Sequence, residues 1–108
     1  MNDIIEFKPR GRLDALGARA LWSELEPLTR VPQTRVLVDL SETRYSSSEG
    51  LRVLIRASRS MQQRGGKLVL CCAGARLLEI ISMAGLDRIL EIHPTAADAR
   101  AALETFSA

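Results

Sequence analysis

The chain has 108 residues, 46% of them hydrophobic and 26% charged, a length that suits one domain and a composition that excludes intrinsic disorder. Its 15 cations and 13 anions leave a net charge of +2, so nucleic-acid binding is not expected without a local basic patch. No apolar run approaches the ~20 residues of a bilayer span, and Met1–Glu6 lacks the basic and apolar regions of a leader, so a soluble cytoplasmic protein without direct membrane insertion is expected.

In chain order, Ile4–Lys8 is apolar and rich in β-branched residues, and the turn formers Pro9 and Gly11 separate it from Arg12-Leu13. This predicts a strand, a turn and a second short strand. Asp14 then precedes Leu16, Ala20, Leu21, Leu25 and Leu28 at helical spacing, which predicts an N-cap and a first helix stopping near Pro32. Arg35–Leu40 is nearly continuous in apolar character and reads as a strand buried on both faces. After a polar connection, Ser46-Ser47-Ser48-Glu49-Gly50 leads into Leu51, Leu54, Ile55, Ser58 and Met61 on one side of a second helix, which Gly65 and Gly66 end. Lys67–Cys72 reads as another buried strand, and residues 76–84 as a short helix closed by Gly85. Ile89–Ile92 completes the strands. Thr95 caps a closing helix that runs to about Phe106. Strands and helices alternating at this spacing predict an α/β layer fold with right-handed crossovers, its functional loops beyond the carboxyl ends of the strands.

The residues that carry chemistry are few. Cys71 and Cys72 are adjacent, and neighbours on a strand point to opposite faces, so they are expected to be small, reduced core residues that share no metal ion. The one histidine, His93, stands beside Pro94 and reads as a surface turn residue. Neither a zinc-binding HExxH, nor a phosphate-binding glycine loop, nor a serine-nucleophile elbow is present. No catalytic residue, metal or cofactor is therefore expected. Taken alone, the serine tract before a helix is a cap, a serine oxygen accepting from a first-turn amide.

Four pieces give the tract a second meaning: Gly11-Arg12-Leu13-Asp14, Val36-Leu37-Val38-Asp39-Leu40-Ser41, Tyr45-Ser46-Ser47-Ser48-Glu49-Gly50-Leu51 and Gly65-Gly66-Lys67-Leu68-Val69-Leu70. In order and spacing they resemble a STAS domain, the family of the anti-sigma factor antagonists, over nearly the whole chain. The resemblance implies a single STAS domain over residues 1–108, an α/β fold with a four- to five-stranded mixed sheet and about four helices. It further implies a non-enzymatic switch in a bacterial partner-switching pathway. Unphosphorylated, such an antagonist binds an anti-sigma factor that is also a serine-protein kinase; phosphorylation by that kinase separates them, and a cognate phosphatase restores the pair.

Carried onto this sequence, the acceptor serine matches Ser48, followed by one residue and then Gly50-Leu51, with Ser47 as second choice. Ser47 stands where many members have aspartate, and Glu49 where they have serine or alanine. The partner-binding set expected from the resemblance and the charge pattern is Ser47, Glu49, Gly50, Arg52, Arg56 and Arg59. The three arginines form a stripe at i, i+4 and i+7, suited to an acidic groove of the partner or simply to water. Gly50 inside a helix costs roughly 1 kcal/mol against alanine, which close approach of a partner or tight packing on the preceding strand would explain. Two alternative roles remain open, an accessory STAS subunit of a lipid-transporting ATPase and a domain that senses a small ligand.

Overall fold

The computed structural model describes residues 3–106, two short of the expected domain span at each end. In chain order these residues form β1 (Ile4–Phe7), β2 (Gly11–Leu13), α1 (Ala15–Thr29), β3 (Arg35–Asp39), β4 (Thr43–Ser46), α2 (Ser48–Gln63) and β5 (Lys67–Cys71). They continue with α3 (Ala75–Met83), a 3-10 turn (Leu86–Arg88), β6 (Ile92–His93) and α4 (Ala96–Glu104).

Apolar alternation along β3 and β5 explains the layering. Val36, Val38, Leu68 and Leu70 point into one core cluster, shared with Leu21 and Leu25 of α1, Leu51, Leu54, Ala57 and Met61 of α2, and Leu77 and Ile81 of α3. Leu37, Val69 and Cys71 point the other way, onto Ala99 and Leu103 of α4. Three helices thus cover one face of the sheet and one covers the other, which is why both central strands are apolar almost throughout. Each large side chain fully buried here contributes about 1.5–3 kcal/mol relative to exposure.

The main sheet has the order β1-β3-β5-β6, and β2 pairs with β4 in a separate two-stranded ladder. The α/β fold class holds, with four strands in the main sheet and four α-helices. All four ladders among the described residues are parallel; β1 and β2, the two opening strands, lie in different ladders.

Several local expectations are corrected. The polar connection before the serine tract contains β4, whose Thr43 and Ser46 are buried while Arg44 is exposed. Leu16, placed on the buried face of α1 by its spacing, is 75% exposed in the first turn. The last strand begins at Ile92 rather than Ile89, because left-handed Gly85 ends α3 and the 3-10 turn then takes up the chain. This sends Leu90 into the core and leaves Ile89 half exposed. His93 is no surface turn residue: it is half-buried in β6, paired with Cys71, and its Nε2 lies 2.7 Å from the Glu91 carboxylate. The cysteines do not point apart either. Cys72 lies just past the end of β5 with φ +66°, so strand alternation no longer governs it, and its Sγ is 2.8 Å from that of Cys71.

Candidate functional site

The start of α2 is built on the end of β2. The backbone N–H of Ser47 donates to the Leu13 carbonyl at 2.8 Å, and the Ser47 hydroxyl donates to the same oxygen at 2.9 Å. That hydroxyl also accepts from the Gly50 N–H at 3.3 Å, which makes Ser47 the N-cap. Parallel pairing of β2 with β4, with Leu13 opposite Ser46, sets this register. The three serines are thereby sorted. Ser46 is buried and its hydroxyl donates to the Ser47 carbonyl. Ser47 is half-buried and committed as both donor and acceptor. Ser48, the first residue of the helix, is exposed, and its hydroxyl makes no hydrogen bond among the described residues.

Glu49 is exposed in the first turn, where the helix dipole favours an anion. Gly50 is buried, and a Cβ there would stand 2.8 Å from the Leu13 Cβ and 2.9 Å from the Leu13 carbonyl oxygen, and closer still to the Ser46 hydroxyl. Of the two explanations for this glycine, packing on the strand is the one visible. It lets the first turn of α2 pack closely on Leu13 at the end of β2.

Arg52, Arg56 and Arg59 are all exposed and, with Ile55, Ser60 and Gln63, line an open trough of about 470 Å³ on α2. Arg56 also has an internal partner, since its guanidinium lies 4.2 Å from the centre of the Trp22 ring on α1. That contact contributes about 0.5–1 kcal/mol to holding the two helices together. The stripe is thus part scaffold at Arg56, with Arg52 and Arg59 unpaired among the described residues.

Two exposed features of the segment that carries the α2 start were missed by sequence reasoning. Leu16 is an exposed apolar side chain in the first turn of α1, just after the strand that carries α2. Arg12 is an exposed cation whose guanidinium carbon lies 4.5 Å from the centre of the ring of Tyr45, its neighbour on β4. The alternation Thr43-Arg44-Tyr45-Ser46 was the available signal for β4, and Arg12 follows from its register. The start of α2 thus offers one exposed hydroxyl and one exposed carboxylate, and the β2–α1 segment one exposed cation and one exposed apolar residue.

No helix among the described residues is long and apolar enough to cross a membrane. A family model described as "Mlab, STAS domain" matches residues 8–91. The chain is 36% identical over 103 residues to the anti-sigma-B factor antagonist of Listeria monocytogenes, covering 85% of this chain and 90% of that one. Among solved structures, an anti-sigma-factor antagonist (STAS) domain protein from Planctomyces limnophilus has the same fold, with a TM-score of 0.78 at 20% identity over 94% of this chain and 90% of that one. The STAS domain of a SulP transporter from Vibrio cholerae shares it too, with a TM-score of 0.71 at 17% identity over 94% and 81%. Fold, family match and a relative more than a third identical across most of both chains agree: the chain belongs to the STAS domain family.

Proposed function

We propose that this chain is an anti-sigma factor antagonist of a bacterial partner-switching pathway, acting in the cytoplasm, with Ser48 as its phosphorylation site. The unmodified domain binds an anti-sigma factor that is also a serine kinase. That kinase transfers the γ-phosphoryl group of ATP to the Ser48 hydroxyl: the new O–P bond replaces the bond to ADP, and the serine proton leaves to a base of the kinase or to water. A cognate phosphatase reverses the change, and the domain itself catalyses nothing.

The observation that carries this reading is the contrast within the tract: Ser48 is exposed with a free hydroxyl, while Ser46 is buried and Ser47 caps the helix. Kinship with the Listeria antagonist supports the role. A phosphate at position 48 carries about −1.5 to −2 charges and sits at a helix start whose free amides favour anions, so the domain stays folded. The effect falls on the partner. A dianion buried in the interface without a cation costs on the order of 2–5 kcal/mol, and each ~1.4 kcal/mol is tenfold in affinity. Glu49 gives the partner a fixed negative charge to meet already, and Arg52 and Arg59 leave two cations free for its acidic groups.

The test is intact-mass analysis after incubation with the cognate kinase and ATP. One phosphate is expected on the wild type and on Ser47→Ala, and none on Ser48→Ala. Labelling of Ser48→Ala at the wild-type level would refute the assignment. Absence of labelling with co-purification of a membrane ATPase would favour the accessory-subunit role.

A further inference from the structure

We propose that Asp39, Cys71 and Cys72 form a binding site for a thiophilic divalent cation of the zinc class at the carboxyl edge of the main sheet. The site begins with register. Asp39 ends β3 and lies directly across the parallel ladder from Cys71 at the end of β5, so the carboxylate and the first thiol share a face. Cys72 completes the set because its backbone is left-handed. A non-glycine residue with positive φ is uncommon and strained, and here the turn brings the second sulfur beside the first. The carboxylate oxygen and both sulfurs lie within 4.8 Å of one another.

The donor types select the ion. Two thiolates and one carboxylate suit a tetrahedral zinc-class ion with water in the fourth position, whereas magnesium and calcium take oxygen donors. Ligand atoms sharing such an ion stand about 3.5–3.8 Å apart, given metal–ligand bonds of about 2.0–2.3 Å. The two sulfurs therefore need only separate modestly by side-chain rotation. Charge also balances. Two thiolates and a carboxylate against a divalent ion leave one negative charge, and the Lys8 ammonium stands 3.9 Å from the Asp39 carboxylate.

Asp39 is already oriented from outside, since one carboxylate oxygen accepts from the Ser41 N–H at 2.8 Å. Outer contacts of this kind fix metal-binding carboxylates elsewhere. Access is from the side of Cys72, which is half-buried, while Cys71 lies in the core beneath α4. The three donors are separate from Ser48 and from the proposed switch.

The probe is Co²⁺, titrated into the reduced, chelator-stripped full-length protein and followed by absorption. The site predicts a thiolate-to-cobalt charge-transfer band and the intense d–d bands of a tetrahedral ion, saturating at one equivalent and abolished when Zn²⁺ displaces the cobalt. Cys71 is a core residue, so Cys72→Ser carries the test, its fold checked by circular dichroism. It should lower the charge-transfer intensity and weaken cobalt binding at least about tenfold, the lower bound for losing even an outer contact. Asp39→Asn should weaken binding and keep the charge-transfer intensity. No charge-transfer band in excess cobalt, or bands of undiminished strength in Cys72→Ser, would overturn the site.

Discussion

Three consecutive serines meet different surroundings at the start of α2 because β4 ends and the helix begins within them. Ser46 closes a buried strand position, Ser47 ties the helix to the Leu13 carbonyl, and Ser48 faces solvent. Their energetic roles differ accordingly. Ser47→Ala should destabilise the domain by roughly 1–2 kcal/mol, because it removes a cap and a second hydrogen bond to β2. Ser48→Ala should stay within about 0.5 kcal/mol of wild type, as exposed substitutions do. Urea denaturation measures both, and a larger loss for Ser48→Ala would contradict this sorting. The sequence showed that a serine would cap the helix but not which one, since that depends on the β2–β4 register. Cys72 was opaque for a related reason: strand alternation describes a residue only while it stays in the strand.

At the scale of the element, α2 depends on a glycine that its own propensity disfavours. Alanine at position 50 would gain up to ~1 kcal/mol of helix propensity. Its methyl group would stand within 3 Å of the Leu13 backbone oxygen and Cβ. Overpacking of this kind costs typically 1–3 kcal/mol. Gly50→Ala should therefore lower the urea midpoint at unchanged m-value, and a raised midpoint would show that the helix has room to move off the strand. The long helices and both central strands were legible because their periods are strong and repeated. Of the weak elements, β2 was expected at Arg12-Leu13, whereas β4 and the bounds of β6 were not legible. β4 is four residues inside a polar stretch, and β6 is two residues whose position is set by Gly85 and the 3-10 turn upstream. Leu16 matched the helical period, yet in the first turn of α1 it stays exposed.

The whole molecule is tied across its last strands by charge as well as by apolar contact. Burial alone would raise the Glu91 carboxyl, but hydrogen bonds and charges from Lys67 and His93 outweigh it and hold Glu91 below its ordinary value of 4.5. Burial likewise opposes ionisation of Asp39, and is outweighed by the Ser41 backbone and hydroxyl, by Lys8 and by Cys72, so that it too lies below its ordinary 3.8. A depressed carboxyl stabilises the fold above its unfolded pKa, and that contribution fades as pH falls through the folded value. The melting temperature should therefore drop as pH falls below about 4.5, and Glu91→Gln should flatten that acid limb. An acid limb identical in Glu91→Gln and wild type would remove Glu91 from the account. Cys71 behaves oppositely: burial, then its neighbour Cys72, pushes its thiol up to about 12, so it is protonated at neutral pH in the ion-free protein.

The α/β class and the helix count were readable from the alternation of patterns, since they follow from burying apolar faces. The surroundings of the serine tract were only partly readable, because Leu13 meets Ser46 and Arg12 meets Tyr45 through pairing between distant segments. What the tract does reduces to whether charge at position 48 governs binding. The most direct measurement is the dissociation constant for the anti-sigma partner, taken with unmodified protein and with protein phosphorylated stoichiometrically at Ser48. The account predicts a loss of affinity of at least about tenfold, equivalent to ~1.4 kcal/mol, with the circular dichroism spectrum unchanged. Equal affinity of the two forms would contradict it.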